Sequence, residues 1–454
     1  MDHNRETRHG RVSRYAALAI AALFVAACSG TSSSPSTGAV ASPSGGAVAS
    51  PSTGPAATPS AAPVTLHALF MKQAAYSDQD VKTMTDAFTK ANPNVTVVPE
   101  FVAYDSLHDK IVTDQVGGSG QYDLVLMDAI WPAEFAKAGI ATDITAKIPA
   151  EFKSGVFASA WTAANYQGKT YGVPWINDSK FFFFNKKMLA DAGIAAPPTT
   201  WDEVVTDAKA IKDKGIVKYP MVGSWKQAEA VICDWVQLAA AFGATDFVDA
   251  QGNALFNTDG GLKALQFMKM LLDQGLMNPA SLGFTEDDVN ATVSAGQAAM
   301  ALNWTYGYAV MNDAKQSKVA GQVDVIGSPG QGSIVTSGVN GGMALAVTKS
   351  SPHPDEALAY ALSIASQQSQ ELDTSVAFPM WTASFANPAL TKSNPSFWKA
   401  AQTQFSGLVA RPVVPYYTKL SNALQVAIQQ ALQGKVTPEQ ALNSVAAKLP
   451  DFQK

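Results

Sequence analysis

The sequence predicts an α/β protein with two lobes, and three observations support this fold class. The chain has 454 residues, whereas a single core usually serves about 100–200 residues. Its hydrophobic content of 47% is that of a globular protein. From Val64 onward the pattern alternates between strand and helix, which is typical of a parallel sheet covered by helices.

A strand–helix–strand unit opens the folded part. VTLHALF predicts the first strand and VTVVPEFV the second. Between them, Ser77 is expected to cap a helix, because Asp80 follows at the third helical position. Apolar residues recur along one face of this helix at Val81, Met84 and Phe88. Since strands joined by a crossover helix run parallel, the unit indicates a parallel sheet.

The same pattern of caps and apolar runs recurs to the end of the chain. Capping boxes are predicted at Thr200 with Glu203 and at Thr437 with Gln440. Strand-like runs occur at 180–185 (KFFFFN), 322–328 (QVDVIGS) and 343–348 (MALAVT). The phenylalanines of the first run are too few to span a bilayer, so we expect a strand buried on both faces.

The N-terminal region is predicted to target and tether the protein. Arginines precede a short apolar run that suits a signal peptide over residues 1–27. Small residues directly before Cys28 resemble the lipobox of bacterial lipoproteins, so Cys28 is expected to be lipidated; an unmodified Cys28 beside an ordinary cleavage site is the alternative. Residues 28–63 are rich in Ser, Pro, Ala and Gly, and they predict a disordered tether. We therefore expect a lipid-anchored protein on the outer face of the cytoplasmic membrane.

Charge and cysteine content exclude several classes of protein. The net charge is −5 and the basic residues are scattered, so nucleic acid is not an expected partner. The chain has two cysteines, Cys28 and Cys233, in very different contexts, which excludes a disulfide framework. Cys233 lies in an apolar segment of helical periodicity and is expected to be buried.

No catalytic residue, metal site or cofactor is predicted. His67, His108 and His353 follow the signal region without the spacing of metal ligands. The chain also lacks a G-x-S-x-G nucleophile elbow. These observations favour a binding protein over an enzyme.

Aromatic and polar side chains recur together where predicted strands end. In open α/β sheets, ligands bind beyond the carboxyl ends of the strands. A sugar offers an apolar ring face to an indole and hydroxyl groups to carboxylates and amides. We therefore expect a carbohydrate site at these strand ends. Its candidate residues are Asp128, Trp131, Trp175, Asn177, Asp178, Trp225, Glu229, Trp304 and Tyr306.

Several nearby residues have structural alternatives. Asp128 could instead cap the helix that follows it. Trp201 begins a helix and Trp235 lies in an apolar helical stretch, so both are expected in the core. The acidic run 286–288 follows Thr285 and is expected to interact with a helix dipole.

Seven segments, in this order and spacing, resemble one protein family over nearly all of the chain after residue 64. They are DAFTKANPNVTV, YDLVLMDAIWPAEFAKAG, YGVPWINDSKFFFFNKKML, TWDEVVTDAKAIKD, SAGQAAMALNWTY, NGGMALAVTKSSPHPDEAL and ARPVVPYYTKLSNALQVAIQQALQGKVTPEQAL. The family is that of the family 1 extracellular solute-binding proteins of bacterial ABC-type sugar importers, the group related to maltose-binding protein.

The resemblance implies the two-lobe periplasmic-binding-protein-like fold of type II, with the ligand between the lobes. Lobe 1 would comprise residues 64–174 and 340–382, and lobe 2 residues 175–339 and 383–454. The chain would cross between lobes near 173–175, near 339–343 and after Pro379.

The resemblance also implies partners and further site residues. The ligand would be a small carbohydrate, and the membrane permease subunits of an ABC importer would recognise the closed protein, which is expected to be a monomer. The additional ligand contacts would be Gln73, Tyr76, Tyr104 and Asn340.

Three other functions remain open from the sequence. A secreted hydrolase would need two carboxylates facing one glycosidic bond, which one sequence does not exclude. A binding protein for a non-sugar solute and a surface adhesin are the remaining alternatives.

Overall fold

A computed structural model describes residues 62–72 and 75–454 of this chain. The predicted signal peptide, Cys28, all but the last two residues of the predicted tether, and Gln73 lie outside the described residues. In the part that is described, no helix has both the length and the apolar character needed to cross a membrane.

Short strands form two main sheets and several two-stranded pairs. The strands are, in chain order, β1 (Val64–Met71), β2 (Val95–Val102), β3 (Leu124–Asp128), β4 (Asn165–Tyr166), β5 (Lys169–Thr170), β6 (Val173–Ile176), β7 (Lys180–Asn185), β8 (Met221–Val222), β9 (Met300–Trp304), β10 (Val323–Ile326), β11 (Pro329–Gln331), β12 (Ile334–Thr336), β13 (Gly338–Val339), β14 (Met343–Val347) and β15 (Leu408–Val409).

Helices cover these sheets and connect their strands. The α-helices are α1 (Asp78–Ala91), α2 (Tyr104–Gly117), α3 (Pro132–Ala138), α4 (Ala150–Gly155), α5 (Lys186–Ala192), α6 (Trp201–Asp213), α7 (Glu229–Ala241), α8 (Asp259–Asp273), α9 (Glu286–Ser294), α10 (Gly307–Asn312), α11 (Pro354–Ile364), α12 (Gln367–Gln370), α13 (Pro388–Thr391), α14 (Pro395–Phe405), α15 (Tyr417–Leu432), α16 (Pro438–Ala446) and α17 (Leu449–Phe452). Short 3₁₀ helices span Thr145–Lys147, Ala158–Ala163, Pro279–Gly283 and Thr382–Ala386.

The helix starts follow the predicted caps. The side chains of Ser77, Thr200 and Thr437 each accept a backbone hydrogen bond from the third helical residue, and a capping box closes at all three. Such a cap typically contributes about 0.5–2 kcal/mol to stability. These three predictions are confirmed.

The first sheet has the strand order β2-β1-β3-β14-β6. Strand β1 runs parallel to β2 and β3, as the sequence predicts. Strand β14 is antiparallel to both β3 and β6, so the sheet is mixed and not purely parallel. The first residue of β14, Met343, lies opposite Asp128, the last residue of β3, so the two strands run in opposite directions. The chain therefore re-enters this sheet at the edge where β3 leaves it.

The second sheet has the strand order β10-β7-β9-β8 and is also mixed. Every residue of β7 is buried, which confirms that the phenylalanine run is a strand covered on both faces. Strand β7 is antiparallel to β9, so that Lys180 at its start faces Trp304 at the end of β9. Trp201, Trp235 and Cys233 lie in the core beside this sheet, as expected.

The chain passes between the two sheets in several segments. Strand β6 remains in the first sheet as far as Ile176, which pairs with Met343. Because Trp175 and Ile176 pack in the first core, we propose that lobe 1 extends to residue 176 instead of the expected 174. The second passage, residues 340–342, joins β13 to β14. Near the third predicted crossing, after Pro379, Met380 packs in the first core whereas Phe385 packs beside the second sheet.

Strand β3 should be a main source of stability. Leu126 lies at its centre and is 0% exposed. We expect Leu126→Ala to lower the free energy of unfolding by about 2–5 kcal/mol, because it leaves a cavity in the first core. Val98→Ala, at a position that is 45% exposed on β2, is the control and should cost less than about 0.5 kcal/mol. Chemical denaturation measures both values, and equal losses would contradict the assignment of β3 to the core.

Candidate ligand-binding cleft

The ends of strands from both sheets meet at the segment 340–342. The backbone N–H of Ala129, just after β3, donates to the carbonyl of Gly342 at 3.0 Å. The N–H of Gly341 donates to the carbonyl of Asp178, just before β7, also at 3.0 Å. The strand ends that the sequence proposed as binding positions therefore lie around one crossing segment.

Arg411 joins the two lobes through a buried ion pair on each side. Its Nη2 lies 2.9 Å from Oδ1 of Asp128 at the end of β3. Its Nη1 lies 2.8 Å from Oε1 of Glu229 at the start of α7. The arginine side chain is only 2% exposed. Burial by itself lowers the pKa of Arg411, but the charges of Asp128 and Glu229 outweigh it and raise the pKa, so the guanidinium stays charged.

Hydroxyl groups complete this Arg411 network. Tyr104 donates to Oδ2 of Asp128 at 3.1 Å. Tyr417 and Ser421, both on α15, donate to the carboxylate of Glu229, the serine at 2.5 Å. Burial raises the pKa of both tyrosines well above the usual value, so both act as O–H donors. The network thus combines residues from both lobes, including two from helix α15.

A second buried cation, Lys180, anchors the side of the cleft formed by lobe 2. Lys180 is 0% exposed, and its Nζ lies 2.6 Å from Asp234 and 3.4 Å from Glu286. It also donates to Ser224 at 2.7 Å. Burial alone lowers the pKa of Lys180, but the two carboxylates raise it overall. Lys180 therefore remains an ammonium group although it has no access to water.

Trp304 lies against this lysine cluster at the end of β9. The Lys180 ammonium is 5.2 Å from the centre of its ring, within range of a cation–π interaction. Its indole N–H donates to Glu286 at 3.2 Å. A Cβ atom on Gly341 would come within 2.3 Å of the Trp304 ring. The crossing segment thus needs glycine at this position, and the half-buried ring is held in one orientation.

Several buried polar atoms of the cleft have no hydrogen-bond partner among the described residues. They include the hydroxyl of Tyr76, Nε1 of Trp175, Nδ2 of Asn177 and Nε of Arg411. Leaving such a group unpaired typically costs about 1–3 kcal/mol. A ligand that presents acceptor atoms would remove that cost.

Asn340 connects the crossing segment to lobe 1. Its Nδ2 donates to the carbonyl of Ser159 at 2.8 Å. The hydroxyl of Ser159 in turn donates to Oδ1 of Asn177 at 3.0 Å. Tyr76 and Trp175 lie together, with ring centres 5.3 Å apart.

A family model described as bacterial extracellular solute-binding protein matches residues 67–371, which is more than half of the chain. The chain belongs to this family. The sequence resemblance is confirmed, and the mixed sheets described above are those of an extracellular solute-binding protein.

Relatives and solved structures agree with this assignment. A probable ABC transporter-binding protein of Deinococcus radiodurans is 26% identical over 383 residues, covering 82% of this chain and 89% of the relative. Maltose-bound MalE3 of T. maritima superimposes with a TM-score of 0.76 and 26% identity over 86% of this chain and 100% of that chain. An α-D-tagatose-bound solute-binding protein of Thermotoga lettingae TMO has a TM-score of 0.74 at 24% identity, covers the same shares of the two chains, and supports the fold.

The structure tests one of the two roles considered for Asp128, that of a helix cap, and ligand contact by Asp128 stays a prediction. Trp131, not Asp128, is the N-cap residue of α3. Asp128 accepts one backbone bond from Ile130 at 3.2 Å, but its carboxylate also pairs with Arg411 and Tyr104. The helix-cap alternative is therefore wrong, because the carboxylate is part of a network between the lobes.

Three of the candidate tryptophans serve packing in this structure. Trp131, Trp175 and Trp225 are 3%, 1% and 2% exposed. Trp131 stacks on Phe135 with ring centres 5.7 Å apart, and Trp175 packs against Tyr76. The indole N–H of Trp225 donates to Asp234 at 3.0 Å. These rings support the walls of the cleft, so Trp304 is the candidate tryptophan with an accessible surface.

The remaining candidates are held by polar contacts at the strand ends. Asp178 accepts from the backbone N–H of Ser179 at 2.8 Å and from the hydroxyl of Thr305. Tyr306 donates to Asp287 at 3.1 Å. The acidic run 286–288 does begin α9 with a capping box at Thr285. The helix dipole alone does not explain this acidic run. Glu286 also accepts a hydrogen bond from Trp304, and Asp287 accepts one from Tyr306.

The sequence-based prediction missed several residues of the cleft. They are Lys180, Asp234, Glu286, Arg411, Tyr417 and Ser421. A charged residue at the start of a wholly apolar strand was a usable signal for Lys180. No group of three or more acidic, histidine or cysteine side chains suited to a metal ion occurs within residues 62–72 and 75–454.

Arg411 and Asp128 should be strongly coupled in a double-mutant cycle. We expect Arg411→Met alone to cost about 3–5 kcal/mol of unfolding free energy, because it leaves buried carboxylates without a counter-charge. Combining it with Asp128→Asn should recover about 1–3 kcal/mol relative to the sum of the single variants. The control is a cycle on Lys187 and Asp191, an ion pair whose side chains are 64% and 47% exposed, where coupling should stay below about 1 kcal/mol. Equal coupling in the two cycles would contradict the structural role of Arg411.

Asp178 should give stability a distinctive pH dependence. Burial raises its pKa from 3.8 to about 6, so the folded protein binds its proton more tightly than the unfolded chain does. The contribution of Asp178 to the unfolding free energy is therefore largest below about pH 4 and falls as the pH rises to about 6. Asp178→Asn should abolish that fall, whereas Asp213→Asn at an exposed position should keep it. Denaturation across this pH range tests the difference, and identical profiles for wild type and Asp178→Asn would refute it.

Proposed function

We propose that this protein captures a sugar or sugar alcohol between its lobes and delivers it to the membrane subunits of an ABC importer. The observation that carries the proposal is the Arg411 network, which joins Asp128 of one lobe to Glu229 of the other. The half-buried ring of Trp304 lies at the same crossing segment. Charged hydrogen-bonding groups beside an indole are the two elements that recognition of a sugar requires.

The polar groups of the cleft suit a ligand rich in hydroxyl groups. Carboxylates such as Glu229 and Glu286 accept hydrogen bonds, while the unpartnered atoms of Asn177 and Arg411 can donate them. A hydroxyl group both donates and accepts, so it can satisfy neighbours of either kind. The proposed binding residues are Tyr76, Tyr104, Asp128, Asn177, Glu229, Glu286, Trp304, Tyr306, Asn340 and Arg411, with Gln73 retained from the family resemblance.

The location and partners follow from the same proposal. Lipidation of Cys28 and the tether that follows it would hold the protein outside the cytoplasmic membrane. A monomer that closes over its ligand would then meet the importer. MalE3 of T. maritima with maltose and the T. lettingae protein with tagatose support a carbohydrate as the ligand class.

A secreted hydrolase fits the cleft less well. Such an enzyme needs one carboxyl group that is protonated and acts as a general acid. Asp128 and Glu229 bond to the guanidinium of Arg411 at 2.9 and 2.8 Å, so the protein itself already engages both carboxyl groups. This pairing favours binding without cleavage.

A sugar ligand should raise the melting temperature, and Trp304 should matter for its affinity. We expect one sugar or polyol from a broad panel to stabilise the protein without release of reducing ends from oligosaccharides. Trp304→Ala should then weaken binding at least tenfold, about 1.4 kcal/mol, with little loss of fold, because it removes the accessible indole at the crossing segment.

Trp381→Ala is the matched control for this variant. Trp381 is also half-buried, donates its indole N–H to a protein oxygen at 2.9 Å, and packs against a glycine, Gly155. It should leave the affinity unchanged in calorimetry. If a peptide or osmolyte stabilises the protein and no carbohydrate does, the proposed function fails.

A further inference from the structure

Each buried cation of the cleft is paired with more than one carboxylate. Arg411 bonds to Asp128 and Glu229 at 2.9 and 2.8 Å. Lys180 lies 2.6 Å from Asp234 and 3.4 Å from Glu286. In a formal count each cluster has two carboxylates against one cation, and burial, which raises the pKa of Asp234, reduces this excess at Lys180. Both cations are therefore already paired with carboxylates of the protein.

The excess negative charge is accessible mainly in lobe 2. The side chain of Glu286 is 22% exposed and that of Glu229 is 13% exposed, against 4% for Asp128 and 1% for Asp234. Asp287 lies next to Glu286 and holds the hydroxyl of Tyr306 at 3.1 Å. Two carboxylates, those of Glu286 and Glu229, are thus partly exposed near the proposed sugar position, where surrounding protein weakens the screening of charge by water, whereas Asp287 is exposed to solvent.

Two buried side-chain donors, one of them on Arg411, also lack a partner among the described residues. Nε of Arg411 and Nδ2 of Asn177 are buried without a partner among the described residues. Both groups are donors, and ligand hydroxyl oxygens would satisfy them.

Lysines at the outer rim do not cancel the negative charge of the carboxylates inside the cleft. Lys137 and Lys419 line a cavity of about 330 Å³ between α3 and the start of α15. Both side chains are exposed to solvent. Water and salt screen exposed charges far more strongly than buried ones, so these lysines contribute little inside the cleft.

We propose that the cleft prefers a sugar carrying a protonated amino group over the neutral parent sugar, and that it rejects the corresponding acidic sugar. This inference rests on the proposed function and specifies its ligand class. Its physical basis is the pair of negatively charged clusters around Arg411 and Lys180.

Calorimetry with matched sugars tests the preference. Each of glucose, galactose and mannose is compared with its 2-amino derivative and its uronic acid, using the full-length chain at about pH 6.5, where such amines are largely protonated. In at least one series, the amino sugar should bind at least tenfold more tightly than the parent and the uronic acid at least tenfold more weakly. Raising the salt concentration from about 20 to about 300 mM should reduce both differences, because it shortens the range of the charges.

A charge-neutral variant locates the effect. Glu286→Gln keeps an oxygen that can accept from Trp304 but removes one negative charge. It should lower the ratio of parent to amino-sugar dissociation constants at least threefold. Glu439→Gln removes a charge from the exposed first turn of α16, outside the cleft, and should leave the ratio unchanged.

The outcomes separate this inference from the proposed function. If a sugar binds but no amino sugar exceeds its parent, or a uronic acid binds as well as its parent, the charge preference is wrong while the function stands. An unchanged ratio in Glu286→Gln also overturns it. If no sugar of any charge binds, both the proposed function and the charge preference are wrong.

Discussion

The buried guanidinium of Arg411 is the group on which the arrangement of the cleft depends. A charge with 2% exposure is tolerated only if its partners are fixed in place. Those partners are Asp128 from one lobe and Glu229 from the other, and each carboxylate is itself buried or nearly so. The end of β3, the start of α7 and the segment after β15 must therefore meet at one position. A change in any of the three leaves an uncompensated charge in the other two.

The crossing segment 340–342 links the two lobes at the proposed ligand-binding site. Asn340 is tied to lobe 1 through Ser159, and Gly341 is tied to lobe 2 through Asp178 and the ring of Trp304. The residues that join the lobes are thus also those proposed to contact a ligand. Binding at this position would act on the interface between the lobes directly, since no intermediate layer separates the two.

Much of the fold was accessible from local patterns, and the candidate site was accessible only in part. The caps at Ser77 and Thr200 and the buried strand β7 followed from spacing and apolar runs alone. The positions of Asp128 and Trp304 at strand ends followed from the same patterns, because strand ends in open sheets form clefts. The direction of β14 did not, since its antiparallel course depends on where the chain returns from lobe 2.

Local sequence was enough to identify the α/β class and the strands that carry the proposed site, and the resemblance of seven segments identified the family. The fold class and the strands depend on the period of apolar residues and on short caps, which neighbouring residues specify together. Only the folded chain revealed that Arg411 pairs with Asp128, 283 residues earlier, and that Trp175 is used for packing whereas Trp304 is accessible. Pairing between distant charges and the exposure of a given ring depend on which elements meet in space, and no local pattern encodes that.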